Sequence, residues 1–127
     1  MMYELKLPIL GFESMTRIEL LDIDDIFCSL RNADDPHPSF TLINPYALRE
    51  YSFDIPASVQ EALDIHQDSK VLVYTLVVVQ NPIESSTVNF LAPMIFNTDN
   101  AQAGQLVLDA TKHPTFGLAE SISSYLA

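Results

Sequence analysis

A small, bent, mainly β domain of antiparallel barrel type, with one or two short helices, is the fold class that the sequence predicts. Three observations carry it. Apolar residues recur with a period of two in several short runs. Eight prolines and only three glycines in 127 residues set many bends where the backbone lacks a ladder donor. The run KVLVYTLVVV from Lys70 is apolar and β-branched at both alternating sets of positions, the pattern of a strand covered on two sides.

The elements follow in order. Tyr3, Leu5 and Leu7 alternate with Glu4 and Lys6, and Pro8 closes this first strand. Arg17 to Leu21 reads as a second strand, with Ile18 and Leu20 opposing Arg17 and Glu19. Ile26 to Leu30 gives a short third, followed by a loop over residues 32–38, in which Pro36 and Pro38 flank His37. Ser39 to Ile43 returns to strand and Asn44-Pro45 ends it. Pro56 suits a first helical turn and Ser58 stands three residues before Glu61, the spacing of a capping box. Val59, Ala62, Leu63 and Ile65 then share a face, so a helix of about two turns should lie over the sheet as a lid. After the Lys70–Val79 strand, Asn81-Pro82 turns the chain. Thr87 to Ala92 is a strand, and Met94 to Asn97 resumes it beyond Pro93, which implies a bulge or bend. Gln105 to Leu108 is one more strand, and Ala119 to Tyr125 a terminal helix. Six to nine strands fit, and no repeat or linker divides residues 1–127, which read as one domain.

Charge narrows the function. Six Lys+Arg against seventeen Asp+Glu leave a net charge of −11. Direct binding to RNA, DNA or an anionic bilayer needs basic patches, so these classes are excluded. A hydrophobic fraction of 48% excludes disorder. The acids are uneven: residues 1–64 hold twelve against four bases, residues 65–127 five against two. They cluster at Asp22, Asp24 and Asp25 and again at Asp34 and Asp35, as solvated turns or as a surface that repels a polyanion. The longest strong apolar run, Val71 to Val79, is too short to span a membrane. The N-terminus does not read as a secretory signal. A single cysteine, Cys28, excludes an internal disulfide and suits a reducing, cytoplasmic setting.

Reactive groups do not assemble into a catalytic pattern. His37, His66 and His113 are far apart, with no HExxH. Cys28 sits in an apolar run, where a buried thiol is the commoner reading than a nucleophile. No serine has a Gly-x-Ser-x-Gly elbow, and the three glycines stand alone, so no phosphate-cradling loop exists. The expected cofactors, metals and catalytic residues are none. The polar strand residues Asn44, Asn89 and Gln105 either bond the backbone at bends or recognise a partner.

Five motifs, in order, carry a resemblance: PILGFE from Pro8, FTLINPY from Phe40, YSFDIP from Tyr51, STVNFLAP from Ser86 and GQLVLD from Gly104. With them the chain resembles the FliW family of flagellar assembly factors over nearly its whole length. The resemblance implies a non-enzymatic regulator with a small β-barrel-like fold. Such a protein binds the translational repressor CsrA, relieving its hold on flagellin mRNA, and also binds flagellin, which couples flagellin synthesis to secretion.

Beside that resemblance, Asn44, Pro45, Tyr46, Asn89, Pro93 and Phe96 are the candidate partner-binding residues, because prolines at bends can expose apolar neighbours and aromatics anchor interfaces. Flagellin is expected to offer a terminal helical segment to an apolar groove. Asp22, Asp24 and Asp25 are the candidate repulsive surface, which steers a basic repressor and then disfavours its RNA. Two other classes remain open: a barrel with an apolar ligand pocket inside it, and a metal-dependent hydrolase using His37 or His66.

Overall fold

The structure, a computed structural model, describes residues 1–35 and 39–125. Pro36, His37 and Pro38, the centre of the expected proline loop, lie outside the described residues. Eight strands form one sheet: β1 (Met2–Leu7), β2 (Arg17–Asp22), β3 (Phe27–Asn32), β4 (Ser39–Ile43), β5 (Val71–Val78), β6 (Thr87–Asn97), β7 (Gln102–Gln105) and β8 (Glu120–Ser121). The order β5-β4-β3-β2-β1-β7-β6 returns to β5 through a β5–β6 pairing, so seven strands close a barrel and β8 adds outside it along β6. All pairings are antiparallel except β1–β7. An odd number of strands cannot alternate direction all the way round, and the mismatch falls at this closing pair. Leu7 there approaches Gly104, where an added Cβ would lie 2.6 Å from the Leu7 Cβ.

Alternation sorts the side chains into an interior and an outer face. Tyr3, Ile18, Leu20, Cys28, Leu30, Leu42, Met94 and Phe96 fill the interior. This packing is the physical argument against a ligand held inside the barrel. Outside, Ile43, Val77, Val88 and Phe90 form a second cluster with Tyr51 and Ile122. Leu91, Ile95, Leu106 and Leu108 form a third under Val59 of helix α1 (Ala57–Ala62) and Leu63, its C-cap. The expected lid is therefore present. Its start differs, because Pro56 is the N-cap and its carbonyl receives the Val59 and Gln60 amides at 3.0 Å each. Ser58 thus falls inside the helix, and the capping box does not form. At the other end, the Asn97 and Asn100 side chains donate to the Leu63 carbonyl at 2.9 and 3.0 Å.

The two-sided cover expected for Lys70–Val79 holds only in part. Val71 and Val73 lie under the outer layer and Tyr74 and Leu76 against the interior, but Val78 and Val79 are exposed. In β6, Asn89 to Met94 spans five steps against two from Tyr74 to Leu76, so the expected bulge at Pro93 is present. The Gln105–Leu108 strand is displaced: β7 ends at Gln105. Beyond it the Leu106 and Leu108 amides still bond the Pro93 and Leu91 carbonyls, at 2.9 and 2.7 Å. Pro93 cannot return a bond and Leu91 gives its amide to Asn89, so the full ladder is lost. The expected terminal helix is instead β8 followed by a 3₁₀ turn at Ile122–Ser124.

Candidate protein-docking face

The acidic cluster is organised by the β2–β3 hairpin. Asp24 accepts hydrogen bonds from the amides of Ile26 and Phe27, at 2.9 Å each, an Asx-type turn of the kind Asp favours. These two bonds hold its carboxyl below the usual aspartate range. Asp22 ends β2 opposite Cys28 and accepts from the Cys28 thiol at 3.6 Å. Burial pushes that thiol up, the Tyr74 hydroxyl opposes the rise, and Asp22 adds to it; a thiol so protected is a poor nucleophile. Asp22, Asp24 and Asp25 therefore share one exposed hairpin end, as the sequence suggested.

Beside them runs an apolar groove of about 300 Å³, with Asp24 at its rim. Ile23 and Phe27 supply the hairpin wall, Val77 of β5 and Val79 just beyond its end the floor, Ile83 and Ile122 the far side. Ile23, Val79 and Ile83 are 57%, 52% and 51% exposed, and three neighbouring exposed aliphatic side chains make the groove a candidate interaction surface. The loop carrying Ile83 is held by the Gln80 amide on the Ser86 hydroxyl at 2.9 Å. Sequence reasoning missed this groove. Its traces in the sequence are Ile23 among three aspartates and the unbroken Val77–Val79 run, whose pattern predicts a covered strand.

The six candidate contact residues divide. Asn44 caps a short turn by accepting from the Tyr46 amide at 3.0 Å. Its own amide bonds the Ile26 carbonyl at 2.8 Å, tying this turn to the acidic hairpin. Pro45 is buried, while Tyr46 is 53% exposed and meets Tyr51 edge-on, with ring centroids 5.9 Å apart. Tyr46 stays available. Asn89 spends its side-chain oxygen on the Leu91 amide at 2.9 Å, and Pro93 is buried in the bulge. Phe96 is enclosed in the barrel against Tyr3 and Tyr74, at centroid distances of 5.0 and 5.9 Å. Pro93 and Phe96 are thus withdrawn as contact residues: both are buried, Phe96 inside the barrel and Pro93 within the bulge. Gln105 is likewise structural, receiving the Leu10 amide at 2.8 Å and donating to the Ala92 carbonyl at 3.2 Å.

The hydrolase reading gains no support. His66 faces Asp64 at 2.8 Å in an exposed turn, His37 lies outside the described residues, and among the described residues no group of three metal-ligating side chains gathers. A larger cleft of about 710 Å³ lies between Ser52–Pro56 and Leu106–His113. Its Asp109 carboxylate already accepts from the Thr111 hydroxyl and amide, at 2.6 and 2.9 Å. Among the described residues no helix is long and apolar enough to cross a membrane.

Comparison with known proteins fits this architecture. The family model described as FliW protein matches residues 1–117. Flagellar assembly factor FliW 2 of Wolinella succinogenes is 51% identical over 125 residues, covering 98% of this chain and 92% of that protein. FliW 1 of the same organism is 51% identical over 126 residues, covering 99% and 98%. The flagellar assembly factor FliW of Sulfurimonas denitrificans is 49% identical over 127 residues, with the same coverage of 99% and 98%. A crystal structure of the flagellar assembly factor FliW superposes with a TM-score of 0.86 at 24% identity, covering 95% of this chain and 84% of that one.

Proposed function

The chain belongs to the FliW family of flagellar assembly factors, and on that premise we propose that it acts by occupying other proteins. It binds the CsrA repressor, relieves repression of flagellin mRNA, and is itself occupied by flagellin when export stalls. It transforms no substrate, holds no cofactor and works in the cytoplasm without touching nucleic acid or membrane. What supports this reading is one juxtaposition: Asp24 lines the exposed apolar groove, and Asp22 and Asp25 are exposed on the same hairpin end. Apolar burial in the groove supplies affinity, and the acids steer a basic partner toward it. Screening at physiological salt confines direct repulsion to about 8 Å, so acids on the groove's own rim are the ones that can disfavour RNA on the docked repressor. The block is therefore non-competitive: the repressor is held by a surface away from its RNA contacts.

The test separates docking from repulsion. With the triple variant Asp22→Lys, Asp24→Lys and Asp25→Lys, RNA displacement from the repressor should weaken more than repressor binding itself. Equal RNA displacement by the variant and the wild type would remove these acids from the mechanism. A wild-type chain that captures neither flagellin nor the repressor would end the whole reading.

A further inference from the structure

The first half of β6 has an edge that, among the described residues, a segment near residue 120 covers. β7 pairs with β6 over Met94–Asn97 alone, and the Leu106 and Leu108 amides reach no further back than Leu91. From Ser86 to Phe90 the edge is met by residues 117–125, a strap that begins where the family match ends. The Phe90 amide donates to the Gly117 carbonyl at 2.9 Å, and the Ile122 amide to the Ser86 carbonyl at 2.9 Å. Between these, β8 lies antiparallel to Thr87 and Val88. An edge without such cover is a template for strand addition.

One arginine fastens the strap. The Arg49 guanidinium lies 5.5 Å from the Phe90 ring centroid and 5.0 Å from that of Phe116. It donates to the Thr115 carbonyl at 2.9 Å and stands 3.7 Å from the Glu120 carboxylate. Glu120 also accepts from the Gly117 amide at 2.7 Å and from the Tyr125 hydroxyl. Ile122, fully buried in the outer cluster, is at the same time a wall of the apolar groove. Withdrawing Ile122 would therefore join the groove to the Ile43, Val88 and Phe90 surface.

We propose that the strap is an exchangeable occupant of the β6 edge, and that an extended segment of a protein partner adds antiparallel to Ser86–Phe90 in its place. The proposal rests on the reading that this face docks proteins. The strap itself specifies the ligand: a branched apolar residue at the place of Ile122, and an acid at the place of Glu120 to neutralise Arg49. Because the open form is the binding-competent one, the hold of Arg49 on Glu120 sets apparent affinity through the open fraction.

A reversible lock tests this in the full chain. Thr87 and Ser121 are direct partners, and the adjacent Ser86–Ile122 pair carries the hydrogen bond. They are thus a non-hydrogen-bonded pair, whose closely spaced Cβ atoms suit a disulfide. In Thr87→Cys/Ser121→Cys, the Phe90 and Ile122 amides should exchange hydrogen roughly tenfold faster than the β6–β7 ladder when reduced, and slow to the ladder's rate when oxidised. Oxidation should also weaken capture of flagellin or the repressor dimer roughly tenfold, and reduction restore it. Strap amides as slow as the ladder in the reduced protein would overturn the proposal. So would undiminished capture by the oxidised form beside a binding wild type, the outcome for a helical partner that rests in the groove without moving the strap. A wild-type chain that captures neither protein overturns the docking reading and this proposal together.

Discussion

The Tyr51 hydroxyl donates a 2.6 Å hydrogen bond to the carbonyl of Phe90, with the two rings 5.6 Å apart in the outer layer. That carbonyl lies at the start of the β6 bulge, where the ladder to β5 is interrupted. Burial pushes the Tyr51 phenol well above its ordinary range, so the donor stays protonated throughout the physiological range. Tyr51→Phe keeps the ring and removes the donor. It should cost about 1–2 kcal/mol, read as a lower urea midpoint at unchanged slope. Wild-type stability in this variant would mean that another donor serves the Phe90 carbonyl.

Closure of the barrel depends on Gly104 lacking a side chain. An alanine Cβ there would sit 2.6 Å from the Leu7 Cβ, too close for two carbon atoms, and β1 or β7 must shift. Gly104→Ala should destabilise by about 1–3 kcal/mol. The clash is with a Cβ, so Leu7→Ala does not relieve it, whereas Leu7→Gly does. In a double-mutant cycle the cost of Gly104→Ala should shrink in the Leu7→Gly background. An identical cost in both backgrounds would place the strain elsewhere.

How much of this was legible in the sequence depends on range. Local patterns held: the alternation of Tyr3–Leu7 and Arg17–Leu21 gave strands, Pro93 a bulge, and the apolar face of Val59 and Leu63 a short helix, though one that starts after Pro56. The acidic hairpin was legible because Asp22, Asp24 and Asp25 are neighbours in the chain. The groove was not, because Ile23, Val79, Ile83 and Ile122 meet only after closure. Phe96 was misread for a related reason. Which face an aromatic takes after a bulge depends on how many residues the bulge inserts, and here the shift carries Met94 and Phe96 inside while Val88 and Phe90 stay outside. The terminal residues failed differently: Ala119 to Tyr125 has few local signals, and pairing with β6 overrides its helical tendency.

Asp24 gives the hairpin a defined pH dependence. Its carboxyl is held below the usual range by the Ile26 and Phe27 amides. The stabilisation is therefore complete above the ordinary aspartate value of about 3.9 and fades as pH falls through the lower folded value. Exchange of the Ile26 and Phe27 amides, corrected for intrinsic rates, should lose protection on acidification in the wild type. Asp24→Ala should show low protection at both ends of that range. A carboxyl titration of Asp24 at or above the ordinary aspartate value would contradict the assignment.

Stability and binding should separate cleanly between the residue withdrawn from the surface and the ones that replace it. Phe96 is fully enclosed, so Phe96→Ala should cost about 3–5 kcal/mol and reduce partner capture only through loss of folded protein. Ile23 and Val79 are more than half exposed, so Ile23→Ser and Val79→Ser should each leave stability within about 0.5 kcal/mol. If the groove receives a partner, the pair together should weaken capture roughly tenfold or more, because both aliphatic side chains lose their burial on binding. Denaturant midpoints and a binding titration on the same preparations decide it. Full affinity in the Ile23→Ser/Val79→Ser protein would move the docking face away from the groove and toward Tyr46, whose ring remains open to solvent on the turn tied to the same hairpin.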